Sequence, residues 1–124
     1  MTRKDLFKLI NKIYPDAIVY NIGEKTGACE EKYIVIKYEQ QFKNSTQIAA
    51  GGWQYIHLFC YAPIGDYDGL DEMAATIYKK LKGYKNIELT GSISPEFLEV
   101  ATVGDVGAIN GIGRRIELRI PKEV

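Results

Sequence analysis

Residues 53–81 read WQYIHLFCYAPIGDYDGLDEMAATIYKKL, and the fold follows from how this stretch divides. From Trp53 to Ala62 the side chains alternate: Ile56, Leu58, Cys60 and Ala62 point one way, and Trp53, Tyr55, His57, Phe59 and Tyr61 point the other. That period of two is the signature of a strand. The first set is an ordinary core face, whereas the second is wide, amphipathic and aromatic. Pro63 and Gly65 then make a turn. Asp68 is expected to cap a helix whose acidic start (Asp71, Glu72) and basic finish (Lys79, Lys80, Lys82) both match the helix dipole, with Gly83 as the stop. Leu70, Met73, Ala74, Ile77 and Leu81 form one apolar stripe at helical spacing, so this helix must lie against a sheet or another helix. In that stripe Met73 is core filling.

Working outward toward the amino terminus, Lys32–Gln40 reads as a strand with Ile34, Ile36 and Tyr38 on one face and Tyr33, Val35, Lys37 and Glu39 on the other. Ala17–Ile22 is a shorter, β-branched and aromatic strand. Leu6, Phe7, Ile10, Ile13 and Tyr14 recur at three- and four-residue intervals, which gives an amphipathic first helix ended by Pro15. The polar, small and glycine-rich stretch 41–52 is a candidate contact loop.

Toward the carboxyl terminus Ile87, Leu89 and Ile93 alternate with Glu88, Thr90 and Ser92, and Phe97–Val103 is a further extended candidate. Gly104, Gly107, Gly111 and Gly113 punctuate a loosely apolar segment expected to be a hairpin or loop needing positive φ or small size. Arg114, Ile116, Leu118 and Ile120 then alternate with Arg115, Glu117 and Arg119 up to Pro121.

Every strand has one aliphatic face and each helix one apolar stripe. The economical architecture is an α+β two-layer sandwich in the order α-β-β-β-α-β-β-β, with two helices packed on one face of a mostly antiparallel sheet. In that arrangement the far side of the sheet is expected to lack cover from its own chain. It carries Tyr33, Trp53, Tyr55, His57, Phe59 and Tyr61 beside Lys37, Arg115 and Arg119, types enriched at protein interfaces. Burial by neighbouring subunits is the expected role of this face.

A chain of 124 residues fits a single domain spanning 1–124. Sixteen Lys plus Arg balance sixteen Asp plus Glu, which removes the broad positive footprint of a phosphate-neutralising protein. The basic clusters Lys79–Lys85 and Arg114-Arg115-Arg119-Lys122 lack an RNP-type aromatic signature, so sequence-specific nucleic-acid binding is not expected. Cys29 and Cys60 form no C-x-x-C pair and read as reduced thiols. No apolar leader and no run of about 18 apolar residues is present, so neither secretion nor a membrane partner is expected.

Chemistry finds little purchase. His57 is the lone histidine, and no nucleophile elbow, activated-cysteine motif or histidine-rich metal spacing accompanies it. The glycine segment lacks the Gly-Lys-Ser/Thr ending of a P-loop and leads into a strand instead of a helix. No catalytic residue, cofactor or metal site is assigned. The competing reading is a small ligand-binding domain or enzyme using His57 and the Gly104–Gly113 loop.

The opening helix, the strand running into Tyr61-Ala62-Pro63-Ile64-Gly65, the helix with Leu70-Asp71-Glu72-Met73 and the final Ile116-Glu117-Leu118-Arg119-Ile120-Pro121-Lys122 together cover about half the chain. Their order resembles the small tail-terminator and tail-completion proteins of tailed bacteriophages, prophages and contractile phage-tail-like bacteriocins. The resemblance implies a structural subunit of a six-membered collar ring at the head-proximal end of a tail tube. Such a ring stops polymerisation, holds the last sheath layer in contractile systems and presents a surface for head-completion proteins. It implies assembly in the bacterial host cytoplasm and then residence in the virion tail or particle. The neighbouring alternative is a head–tail connector or head-completion protein.

Overall fold

The computed structural model describes residues 2–22, 24, 29–39, 52–99 and 110–121. Most of the 41–52 loop, Gly104, Gly107 and Lys122 lie outside the described residues. The first helix, α1 (Arg3–Ile13), starts on a reciprocal cap. The Asp5 N–H donates to the Thr2 hydroxyl and the Thr2 N–H to the Asp5 carboxylate, each at 3.1 Å. Two donors of the first turn are thereby satisfied, and the Thr2 hydrogen bonds hold the Asp5 carboxyl below its usual pKa. Leu9 joins Leu6, Ile10 and Ile13 in the buried stripe, and Phe7 sits half-buried at its border.

Six strands follow in the expected order around a second helix: β1 (Ile18–Asn21), β2 (Tyr33–Tyr38), β3 (Trp53–Ala62), α2 (Tyr67–Leu81), β4 (Glu88–Leu89), β5 (Phe97–Glu99) and β6 (Gly111–Pro121). The sheet order is β1-β2-β3-β6-β4, with β5 also on β6. Only β1 and β2 run parallel; the other pairs are antiparallel. Both helices pack on one face, where Leu6, Ile10, Ile34, Ile56, Leu58 and Ile77 belong to one core with the rest of the α2 stripe. The α+β two-layer architecture therefore holds, with a mostly antiparallel sheet.

Between β3 and α2 the Asp66 N–H donates to the Pro63 carbonyl at 3.0 Å across Gly65, whose φ is +98°. That positive φ is what a type II turn requires of its third residue. The turn also moves the cap. Asp66, not Asp68, accepts from the Gly69 N–H at 3.1 Å, because the turn delivers its side chain to the open amino end one residue before the helix begins. Gly83, at φ +82°, follows the C-cap Lys82 and turns the chain off the helical path.

Polar contacts tie the layers together. Lys32 Nζ donates to the Tyr14 hydroxyl at 2.8 Å, and that hydroxyl donates to Glu72, which also accepts from Thr76 at 3.1 Å. The Tyr14 hydrogen bond lowers the Glu72 pKa, while burial and then Glu72 raise that of Tyr14. Arg114 reaches from β6 to Asp71 on α2 at 2.8 Å and to the Ser94 carbonyl at 2.9 Å. No helix of the described residues is long and apolar enough to cross a membrane.

Two glycines expected in a loop, Gly111 and Gly113, belong to β6. Neither is needed for positive φ. A Cβ on Gly111 would come within 2.8 Å of Cys29 Cβ, and one on Gly113 within 2.6 Å of the Phe97 ring. Both mark a close approach over a strand.

The outer edge of β6 is covered in two pieces with different registers. Leu89 lies opposite Leu118 and Phe97 opposite Gly113, so eight steps along the edge match five along β6 and three residues are extra. Ser94 anchors this excursion: its N–H donates to the Arg115 carbonyl at 2.9 Å and its hydroxyl accepts from the Arg115 N–H at 2.7 Å. An odd number of extra residues reverses the alternation, because side chains change face at every step of a strand. Odd-numbered Leu89 packs with the helix-side core, and odd-numbered Phe97 lies on the opposite face.

Candidate interaction face

Registers of β2, β3 and β6 place the far-face residues in rows. Tyr33, Tyr61, Gly113 and Phe97 form the first; Val35, Phe59 and Arg115 the second; Lys37, His57 and Glu117 the third; Tyr55, Arg119 and Glu88 the fourth; Trp53 opposes Pro121 at the end. All eight residues singled out from the sequence (Tyr33, Trp53, Tyr55, His57, Phe59, Tyr61, Arg115 and Arg119) thus share one face. Their environments differ sharply along it.

The first rows are not bare. Cys29, Tyr33, Val35 and Tyr61 are buried together, with Tyr20, Phe59 and Phe97 packed against them. Tyr33 retains 1% of its exposure and Tyr61 5%. This corrects the expectation that the far side lacks cover from its own chain: Cys29 comes over from the β1–β2 connection and Phe97 from β5. The Tyr33 and Tyr61 rings lie 5.1 Å apart, and Phe97 meets Tyr61 edge-on at 6.0 Å. The absent side chain of Gly113 is what lets Phe97 settle there. The Tyr61 hydroxyl donates to Glu99 at 3.2 Å, and burial followed by the Glu99 charge pushes its pKa well above the ordinary tyrosine range. Burial does the same to Tyr33.

The middle of the face is a charge ladder. Lys37 lies 3.4 Å from Glu39, Glu39 3.0 Å from His57 Nδ1, His57 Nε2 3.8 Å from Glu117, and Glu117 3.0 Å from Arg115. Both ring nitrogens of His57 therefore face carboxylates of the same chain. Among the described residues no group of three His, Cys, Asp or Glu is arranged to hold a metal ion.

At the far end the Arg119 guanidinium stacks on the Trp53 ring, 4.1 Å from its centroid, and pairs with Glu88 at 2.8 Å. Its contact with the Tyr55 hydroxyl is longer, at 3.5 Å, and Tyr55 is 37% exposed. The Tyr55 and Glu88 contacts favour the charged guanidinium and raise its pKa. A flat, preoriented arginine between two aromatics is an arrangement protein partners use, since little side-chain freedom remains to be lost on contact.

Local sequence patterns do not reveal the part played by four residues. Phe97 was placed in a strand, but its face depends on the three-residue excursion, which no local periodicity reveals. Cys29 comes from a connection with no pattern. Glu117 and Glu39 were assigned to the correct face, yet their closeness to His57 follows from register. One signal was available: a glycine such as Gly113 just inside an alternating strand marks a close approach of other groups. Compared with known proteins, the chain matches no protein-family model and no curated protein sequence.

Proposed function

We propose that this protein is a structural assembly subunit of the tail-terminator type. Copies form a ring, six-membered by resemblance, that caps the head-proximal end of a phage or bacteriocin tail tube and stops its growth. Its partners are further copies of itself, the tube protein, the sheath protein where the tail contracts and a head-completion protein where a head is present. It acts without catalysis.

The observation that carries this reading is the open end of the far face, where Trp53, Tyr55 and Arg119 stand on β3 and β6 with Tyr55 exposed. Aromatics and arginines held by a rigid sheet form the kind of patch that anchors protein interfaces. His57 stands within the row of charges on the same face, 3.0 Å from Glu39 and 3.8 Å from Glu117, and belongs to the contact surface in this reading. The order of elements and the turn Tyr61–Gly65 supply the resemblance to tail terminators.

The test is the mass of the purified protein in solution, together with electron micrographs of tail tubes polymerised with and without it. Rings and tubes of limited length with a capped end are expected. A protein that stays monomeric and leaves tube length unchanged overturns the proposal. His57→Ala is expected to leave folding and capping nearly intact.

A further inference from the structure

Charge is segregated along the strands of this neutral chain. At the end of the sheet where β2 begins and β3 gives way to α2, Glu30, Glu31, Asp66 and Asp68 are exposed. Of the cations beside them Lys32 is engaged by Tyr14 and Glu72 and Arg114 by Asp71, while Lys12 in the last turn of α1 is exposed. At the opposite end, where α1 starts and α2 finishes, Lys4, Lys79, Lys82 and Lys85 are exposed. Arg3 places the start of α1 there, since its guanidinium lies 3.8 Å from the ring centroid of Tyr38, the last residue of β2. Of the carboxylates at that end Glu39 is engaged by Lys37 and His57 and Glu88 by Arg119, and Asp5 is held by Thr2 in the helix cap. Among the described residues none of these four lysines, nor Glu30, Glu31, Asp66 or Asp68, forms an ion pair.

The molecule therefore carries an acidic cluster at one end and a basic cluster at the other. Surfaces of opposite sign steer encounter and fix register, and like poles repel. A molecule with two unlike poles presents to a second copy the complement of its own surface. Contact of this kind is heterologous, and it closes into a ring where the rotation allows.

We infer that the partner of the basic pole, Lys4, Lys82 and Lys85, is the acidic pole, Glu30, Glu31 and Asp68, of another copy of this chain. The inference rests on the ring reading and deepens it by naming the two patches that meet. The aromatic and arginine end of the far face remains for the tube or for further contact within the ring.

Charge reversal provides the test, read as assembled mass against protein concentration. At about 50 mM salt the unaltered protein is expected to assemble, and at about 1 M salt, where screening acts within ~3 Å, to dissociate. Lys4→Glu/Lys82→Glu/Lys85→Glu carries two acidic poles, and Glu30→Lys/Glu31→Lys/Asp68→Lys carries two basic ones. Each alone is expected to need about tenfold more protein, or higher, for half-assembly. An equimolar mixture is expected to recover assembly, because unlike molecules alternate. Thermal melts confirm that each variant folds, and the corresponding glutamine and asparagine versions, which remove charge without reversing it, are expected to fall between. The inference is overturned if either triple variant assembles as the unaltered protein does, if the mixture stays as dissociated as its components, or if the unaltered protein is monomeric at low salt. Tube capping is scored on the same samples. Pole-to-pole assembly without capping would remove the terminator reading and leave this one standing.

Discussion

The two ends of the far face use the same residue types for different purposes. At one end Tyr33 and Tyr61 are sealed by Cys29 and Phe97 into a second small core. At the other, Arg119 stacks on Trp53, reaches the Tyr55 hydroxyl and pairs with Glu88, and Tyr55 stays exposed. An aromatic face on a strand thus does not by itself identify an interface. What decides is whether the chain returns to cover it, and among the described residues it returns to one end.

Substitutions at the two ends separate these roles. The largest effect is expected for Tyr61→Ala, which empties the second core and should lower folding stability by about 3 kcal/mol, read by denaturant unfolding. A loss below ~1 kcal/mol would show that this end is as open as the other. Gly113→Ala comes next. Its new methyl meets the Phe97 and Tyr61 rings, at a cost of about 1–3 kcal/mol in the same measurement, and Phe97→Ala in the same chain should relieve part of that strain. Tyr55→Ser should change folding stability by only ~0.5 kcal/mol while weakening ring assembly by about 2 kcal/mol, measured by sedimentation. Equal assembly by Tyr55→Ser and the unaltered protein would place the contact surface elsewhere.

The smallest effect is a pH dependence confined to the sealed end. Burial and Glu99 raise the folded-state pKa of Tyr61 above its unfolded value. The associated stability is fully present below the ordinary tyrosine pKa of about 10 and is lost as pH rises toward the higher folded value. Tyr61→Phe should flatten the alkaline fall in melting temperature, and an unchanged alkaline limb would rule out Tyr61 as its source. Beneath the same sheet, the Cys60 thiol is pushed up to about 12 by complete burial, so it should resist alkylation until the protein unfolds.

Much of the fold was legible because it rests on periodicity. The alternation of Trp53–Ala62 and the stripe from Leu70 to Leu81 both recur as observed. The aliphatic faces of β2, β3 and β6 meet the helices as their spacing requires. The cap of α2 moved from Asp68 to Asp66 because capping depends on where the turn aims a side chain, and both aspartates have the right chemistry. The candidate face was legible as a set of residues sharing one side. Its division into sealed and open ends was not, since that depends on Cys29 and Phe97 reaching it from segments whose own patterns are weak. The parallel pairing of β1 with β2 was likewise a matter of chain path and not of local composition.

The three extra residues between β4 and β5 carry a consequence for how this chain tolerates change. Thr90–Glu96 is mostly polar and peripheral, and substitutions there should be absorbed easily where Ile93, which packs on the core, and Ser94 are kept. Its length is another matter. Losing one residue leaves an even excess, and seven regularly alternating steps from Leu89 would keep Phe97 on the far face; losing two leaves an odd excess of one, and a ladder that kept regular alternation would then bring Leu98 to the far face and turn Phe97 toward the helices. The second core would lose its lid, and Gly113 would lie open on the surface. In this protein a peripheral segment works as a spacer whose length decides which side of the sheet its neighbours belong to.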